Sequence, residues 1–145
     1  MDESAYRQVL SASIARPCPF ERSILSRCAA CSKAEKHNVA EREVVACSGE
    51  EDLMRCNGLY AAFRHSFAFA LHRLHADGPL PHGQEMRVQC GGLKGLRFAL
   101  DGNADVDDVN VLVFRAMQTY GDWDAFPHEA IIQWAAANYH PRRGE

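Results

Sequence analysis

Between Glu50 and Ala76 apolar residues recur as Leu53, Cys56, Leu59-Tyr60, Phe63, Phe67, Ala70-Leu71 and Leu74. This stripe keeps step with 3.6 residues per turn, and at 1.5 Å per residue the predicted helix is about 40 Å long. A rod of that length is the spine of whatever fold forms, because the other elements must cover its apolar side. Gly58 sits inside it and costs on the order of 1 kcal/mol relative to alanine, so close packing is its expected reason.

The remaining signals are also helical. Residues 3–15 carry Tyr6, Val9, Leu10 and Ile14 at helical spacing and stop before Pro17. Pro19 suits the first turn of a short helix with Cys18 at its N-cap. Ser32 and Glu35 make a capping box that predicts a helix after Cys31, and Ser48 with Glu51 repeats the pattern after Cys47. Asp77-Gly78-Pro79-Leu80-Pro81 stops the spine. A further helix is predicted from about Val106 to Tyr120, capped by Asp105 and ended by Gly121, and a last one from near Pro127. The expected fold class is all-α: a single domain spanning 1–145, six or seven helices, a central helix over about 50–76, and at most a short strand near 43–47 or 86–90. The cysteine-bearing part covers 18–90 and a helical C-terminal part 91–145.

Composition excludes some functions. A net charge of −3 over 145 residues lacks the basic footprint of a nucleic-acid binder. The longest apolar-rich stretch is broken by Arg64, His65, His72 and Arg73, so no membrane span is expected. The acidic start, with no apolar run, predicts no signal peptide and a cytoplasmic location. Thiols there stay reduced, so the six cysteines point to metal or catalysis rather than to structural bridges.

Five of those six, Cys18, Cys28, Cys31, Cys47 and Cys56, fall within residues 18–56, and Cys90 precedes Gly91-Gly92. Cys28-x-x-Cys31 lets two sulfurs face one ion or cluster. Cys18, Cys31 and Cys47 are each placed at or just before a predicted helix N-terminus, where N–H groups and the helix dipole favour thiolate. Cys56 lies on the apolar stripe. Gly91-Gly92 would let the backbone approach a cluster and donate N–H bonds to sulfur. The expectation is an iron–sulfur cluster, most simply 4Fe-4S. Its core ligands are Cys28, Cys31, Cys47 and Cys56, with Cys90 and Cys18 next, in an electron-transfer or redox-sensing role with a redox partner protein. Zinc proteins commonly use two close cysteine pairs and this chain has one, but a zinc-stabilised interaction module stays open. So does thiol–disulfide chemistry at Cys28-x-x-Cys31. Simple core packing is the alternative for one or two of the thiols, Cys18 or Cys90 first.

Other candidates are weaker. His65, His72 and His75 read as a polar face of the spine, and His82 as a loop residue. The acidic stretch Asp101, Asp105, Asp107 and Asp108 reads as helix capping rather than a calcium loop. No catalytic constellation is evident. The segments Cys18-Pro19-Phe20, Ala40-Glu41-Arg42-Glu43 with Cys47, Leu80-Pro81-His82 and Val88-Gln89-Cys90-Gly91-Gly92-Leu93 resemble small, cysteine-rich, largely uncharacterised proteobacterial proteins over residues ~17–100. The resemblance implies an iron–sulfur role and brings no substrate, partner or catalytic residue.

Overall fold

The computed structural model describes residues 2–71 and 78–140. Helix α1 (Glu3–Ser13) starts where the Asp2 carboxylate accepts the Ala5 N–H at 2.7 Å. Helix α2 (Glu21–Leu25) is short and ends in a left-handed turn. The Cys28 N–H donates to the Ser23 carbonyl, the Arg27 N–H donates to that of Ile24, and Arg27 takes φ 67°. This is a Schellman ending with arginine where glycine is usual.

Strands β1 (Ala34–Val39) and β2 (Arg42–Cys47) then form an antiparallel hairpin, in register from Ala34 opposite Cys47 to Val39 opposite Arg42. The two-residue turn, Ala40-Glu41, has positive φ at both positions, the pattern of a type I′ turn. This corrects the expected helix after Ser32. Val44, Val45 and Ala46 are consecutive buried residues, and a strand buried on both faces satisfies their backbone groups. Both edges of β2 are paired. The hairpin partner lies on one edge. On the other, the Cys18 N–H donates to the Val45 carbonyl, the Cys47 N–H to that of Arg16, and the Val45 N–H to the Glu21 carboxylate at 2.7 Å. The fold is therefore mainly helical with a small two-stranded sheet, and not purely all-α.

Helix α3 (Glu50–Leu71) is the spine. Its Leu59, Phe63 and Phe67 are fully buried, and Phe20 meets Tyr60 and Phe63 edge to face. The predicted continuation of this helix, with His72, Leu74 and His75, lies outside the described residues. Gly58 has the packing reason anticipated for it: a Cβ there would lie 2.6 Å from the Trp123 ring.

Where an extended piece was expected at 86–90, the chain is helical without a break. Helix α4 (His82–Met86) runs through a π-helical turn (Arg87–Gly91) into α5 (Gly92–Asp101). The wider π turn lets Val88, Gln89, Cys90 and Gly91, four residues in a row, face inward. Helix α6 (Val109–Tyr120) is capped by Asp108, three residues after the predicted Asp105, and ends at Gly121. Helix α7 (His128–Asn138) follows Pro127 and packs on α5. One core cluster extends from Phe20 to Ala135, so the cysteine-bearing part and the C-terminal helices share it. Among the described residues no helix is long and apolar enough to cross a membrane.

Candidate metal centre

The six cysteines divide into two sites. Cys28 and Cys90 form a disulfide with their Cα atoms 6.1 Å apart, while Cys18, Cys31, Cys47 and Cys56 are free. Cys28, expected as a core ligand, and Cys90, expected as a further one, are therefore paired with each other. The expectation that these cysteines form no bridge also fails. The cause is the π turn, which turns Cys90 inward beneath the loop that follows α2.

The four free thiols surround one small cavity of about 20 Å³, room for roughly one water molecule. Each comes from a different segment. Cys18 stands just before α2, held by its backbone bond to β2. Cys31 lies in the loop between α2 and β1. Cys47 ends β2, and Cys56 faces inward from the second turn of α3. Pro19, Ile24, Ala46, Leu53 and Val109 supply apolar wall, and Lys33, Asp52 and Asn110 border the cavity without presenting polar surface to it. Lys33 and Asp52 approach to 3.9 Å there.

The loop bearing Cys31 is clamped against the start of α6. The Ala30 N–H donates to the Val106 carbonyl, the Val109 N–H to that of Ala30, and the Ser32 N–H to the Asp108 carboxylate at 3.2 Å. Backbone N–H groups of Lys33 and Asn110 near the Cys31 sulfur, and that of Phe20 near the Cys18 sulfur, act to lower those thiols' pKa against burial. The Cys47 thiol donates to the Gly49 carbonyl at 3.2 Å. Only Cys47 lies near the start of a long helix in sequence. Cys31 precedes a strand rather than a helix of its own, and the helix N-terminus beside its sulfur is that of α6, through Asn110.

Burial dominates the electrostatics of Cys18, Cys31 and Cys56. It pushes the Cys18 and Cys56 thiols up to about 12, and neighbouring cysteine sulfurs push the same way. Burial raises Cys31 too, against the two N–H bonds that favour its thiolate. The sulfurs thus feel one another across the cavity. As the side chains stand, however, among the described residues no group of three or more His, Cys, Asp or Glu is arranged to hold a metal ion. The shared cavity and mutual fields describe where the sulfurs gather.

The other sequence candidates lie elsewhere. His65 is exposed, and His82 pairs with Arg22 at 3.0 Å on the surface. Gly91 and Gly92 serve packing rather than sulfur contact: a Cβ would lie 2.9 Å from Ala135 Cβ at Gly91 and 2.6 Å from the Phe63 ring at Gly92. Sequence reasoning missed a buried polar network. The Tyr60 hydroxyl donates to the Glu85 carboxylate at 2.6 Å, Gln89 Nε2 donates to it at 3.0 Å, and Gln89 Oε1 accepts from the Ser23 N–H and hydroxyl. Arg64 Nη1 donates to the Tyr60 hydroxyl at 3.3 Å. The signal was two i,i+4 polar pairs, Tyr60/Arg64 and Glu85/Gln89, interrupting otherwise apolar faces. No protein-family model, curated protein or solved structure matches this chain.

Proposed function

We propose that Cys18, Cys31, Cys47 and Cys56 hold one thiolate-bound inorganic centre, in the first reading an iron–sulfur cluster that serves electron transfer or redox sensing. The observation that carries this is the convergence of four free thiols from four separate segments on a single cavity. Burial and the neighbouring sulfurs push the Cys18 and Cys56 thiols up to about 12 and keep both protonated. A bound cationic centre reverses that balance, taking four thiolates and releasing their protons. The N–H groups near the Cys18 and Cys31 sulfurs would offset the remaining negative charge, as donors to ligand sulfur do.

Two features weigh the centre's type in opposite directions. Four thiolates around zinc, each at about 2.3 Å, stand only about 3.8 Å from one another. The sulfurs here share a cavity without forming a ligand set for one ion, which favours a larger centre. The cavity itself has room for little more than one ion, which favours zinc. The second reading is accordingly a zinc-stabilised interaction module.

Anaerobic purification followed by analysis for iron, zinc and sulfide tests both. The cluster reading expects a brown protein with iron and sulfide in equal amounts. It also expects loss of the metal when any one of Cys18, Cys31, Cys47 or Cys56 is changed to serine, and retention in the Cys28→Ser/Cys90→Ser double variant. Colourless protein with one zinc selects the second reading. Failure to bind either metal in stable, reduced protein refutes both.

A further inference from the structure

The Cys28–Cys90 bridge has surroundings that a structural cross-link does not require. Cys90 is fully buried, and two hydroxyls approach its sulfur: Ser23 Oγ at 3.7 Å and Ser26 Oγ at 3.9 Å. A disulfide sulfur is a poor hydrogen-bond acceptor and a thiolate a good one. Ser23 is itself fully buried and is fixed by two bonds to Gln89 Oε1, at 3.0 Å from its N–H and 3.2 Å from its hydroxyl. Gln89 is anchored in turn on Glu85. Burying this many polar groups is costly unless each is satisfied, and the π turn is what brings Gln89 and Cys90 inward together. Exposure is asymmetric as well. Cys28 keeps partial exposure beside the exposed Arg27, whereas Cys90 has none.

We infer that Cys28–Cys90 is a thiol–disulfide exchange site that reacts with dithiols through Cys28. The thiolate of an external dithiol attacks Cys28 Sγ, the bond to Cys90 breaks, and its electron pair passes to Cys90 Sγ. There the Ser23 and Ser26 hydroxyls turn their protons from Gln89 Oε1 and from the Ser23 carbonyl, each 3.2 Å away, and meet the charged sulfur as hydrogen-bond donors. The partly exposed Ser26 stands on the route by which a proton from solvent reaches Cys90. The second thiol of the reagent gives up its proton and attacks the mixed disulfide, releasing Cys28 as a thiolate that is then protonated. In sum the dithiol becomes a disulfide, and Cys28 and Cys90 become thiols. The inference stands apart from the metal reading, because neither cysteine lines the four-thiol cavity.

The test uses dithiothreitol on the native full chain, with differential alkylation and mass spectrometry reading only the Cys28 and Cys90 peptides. Global unfolding is timed in parallel by pulse proteolysis. Both thiols are expected to appear at least about tenfold faster than the chain unfolds. Loss of one hydrogen bond to a charged sulfur is worth about a factor of ten or more, so Ser26→Ala and Ser23→Ala are each expected to slow reduction about tenfold, with Ser23→Thr restoring it. Ser26 is partly exposed, so its alanine variant keeps the test valid where Ser23→Ala fails to fold. Reduction no faster than unfolding, or unchanged rates in the folded serine variants, overturns the inference.

Discussion

Replacing Gly95 by alanine should destabilise this protein, against the usual sign of that change. In a helix interior, glycine to alanine gains about 1 kcal/mol through backbone entropy and propensity. Gly95 lies in α5 where it meets α7, and a Cβ there would stand 2.8 Å from the Ile131 carbonyl oxygen, 3.1 Å from Ile131 Cγ2 and 3.2 Å from Ile131 Cα. Two of those three atoms are backbone, so no side-chain rotation relieves the contact. Helix α7 must retreat, and Ile131, which has no exposed surface, must follow it out of the core. Overpacking of this kind costs about 1–3 kcal/mol. A clash with backbone belongs in the upper part of that range, about 2–3 kcal/mol, so after the propensity gain the net loss is about 1–2 kcal/mol, or a Tm lowered by about 3–6 °C in a chain of this size. The shift also reaches the π turn, because α5 continues from it without a break. Circular dichroism melts of wild type and Gly95→Ala under oxidising conditions measure this directly. A Tm equal to or above wild type would show that α5 and α7 do not approach as described.

Three further outcomes are expected. The native metal-free protein holds the Cys18 and Cys56 protons up to about pH 12, whereas the unfolded chain releases them near 9.0. Its stability is therefore fully present below pH 9 and falls as pH rises from there toward 12. A Cys18→Ser/Cys56→Ser variant should flatten that slope in pH-dependent melts, and an unchanged slope would refute the cause. Tyr60→Phe strips a donor from the buried Glu85 carboxylate and should cost about 1–3 kcal/mol in guanidinium unfolding. Adding Glu85→Gln should recover much of that loss, and strict additivity of the two changes would show that they do not interact. The Cys28→Ser/Cys90→Ser variant reopens a chain loop of sequence separation 62 and should lose about 4 kcal/mol by the chain-entropy relation, with metal content unchanged.

The spine was legible because its apolar period runs for many turns and no tertiary contact needs to correct it. The same holds for α6 and α7, whose stops at Gly121 and starts at Pro127 are local chemistry. The hairpin was not legible. Strand β1 is buried only at Val39 and half-buried at Ala34, so it shows no alternation, and Ser32-x-x-Glu35 mimics a helix start. What makes it a strand is its partner, β2, whose Val44-Val45-Ala46 run is buried by contacts distant in sequence. The cysteines show the same division. That the cysteines lie together in the fold was readable from their density, but spacing could not say which ones share a site. Cys28 and Cys31 are near neighbours in sequence that serve different sites, and Cys28 meets Cys90 only because the helices stack as they do.

The tight turn at Ala40-Glu41 acts as a ruler for the four-thiol cavity. Side chains along a strand point alternately to opposite faces, so the number of residues in that turn sets which way every side chain of β2 projects. One residue added to or removed from it would send the Cys47 sulfur to the opposite face and leave the cavity with three donors, although no cysteine and no wall residue had changed.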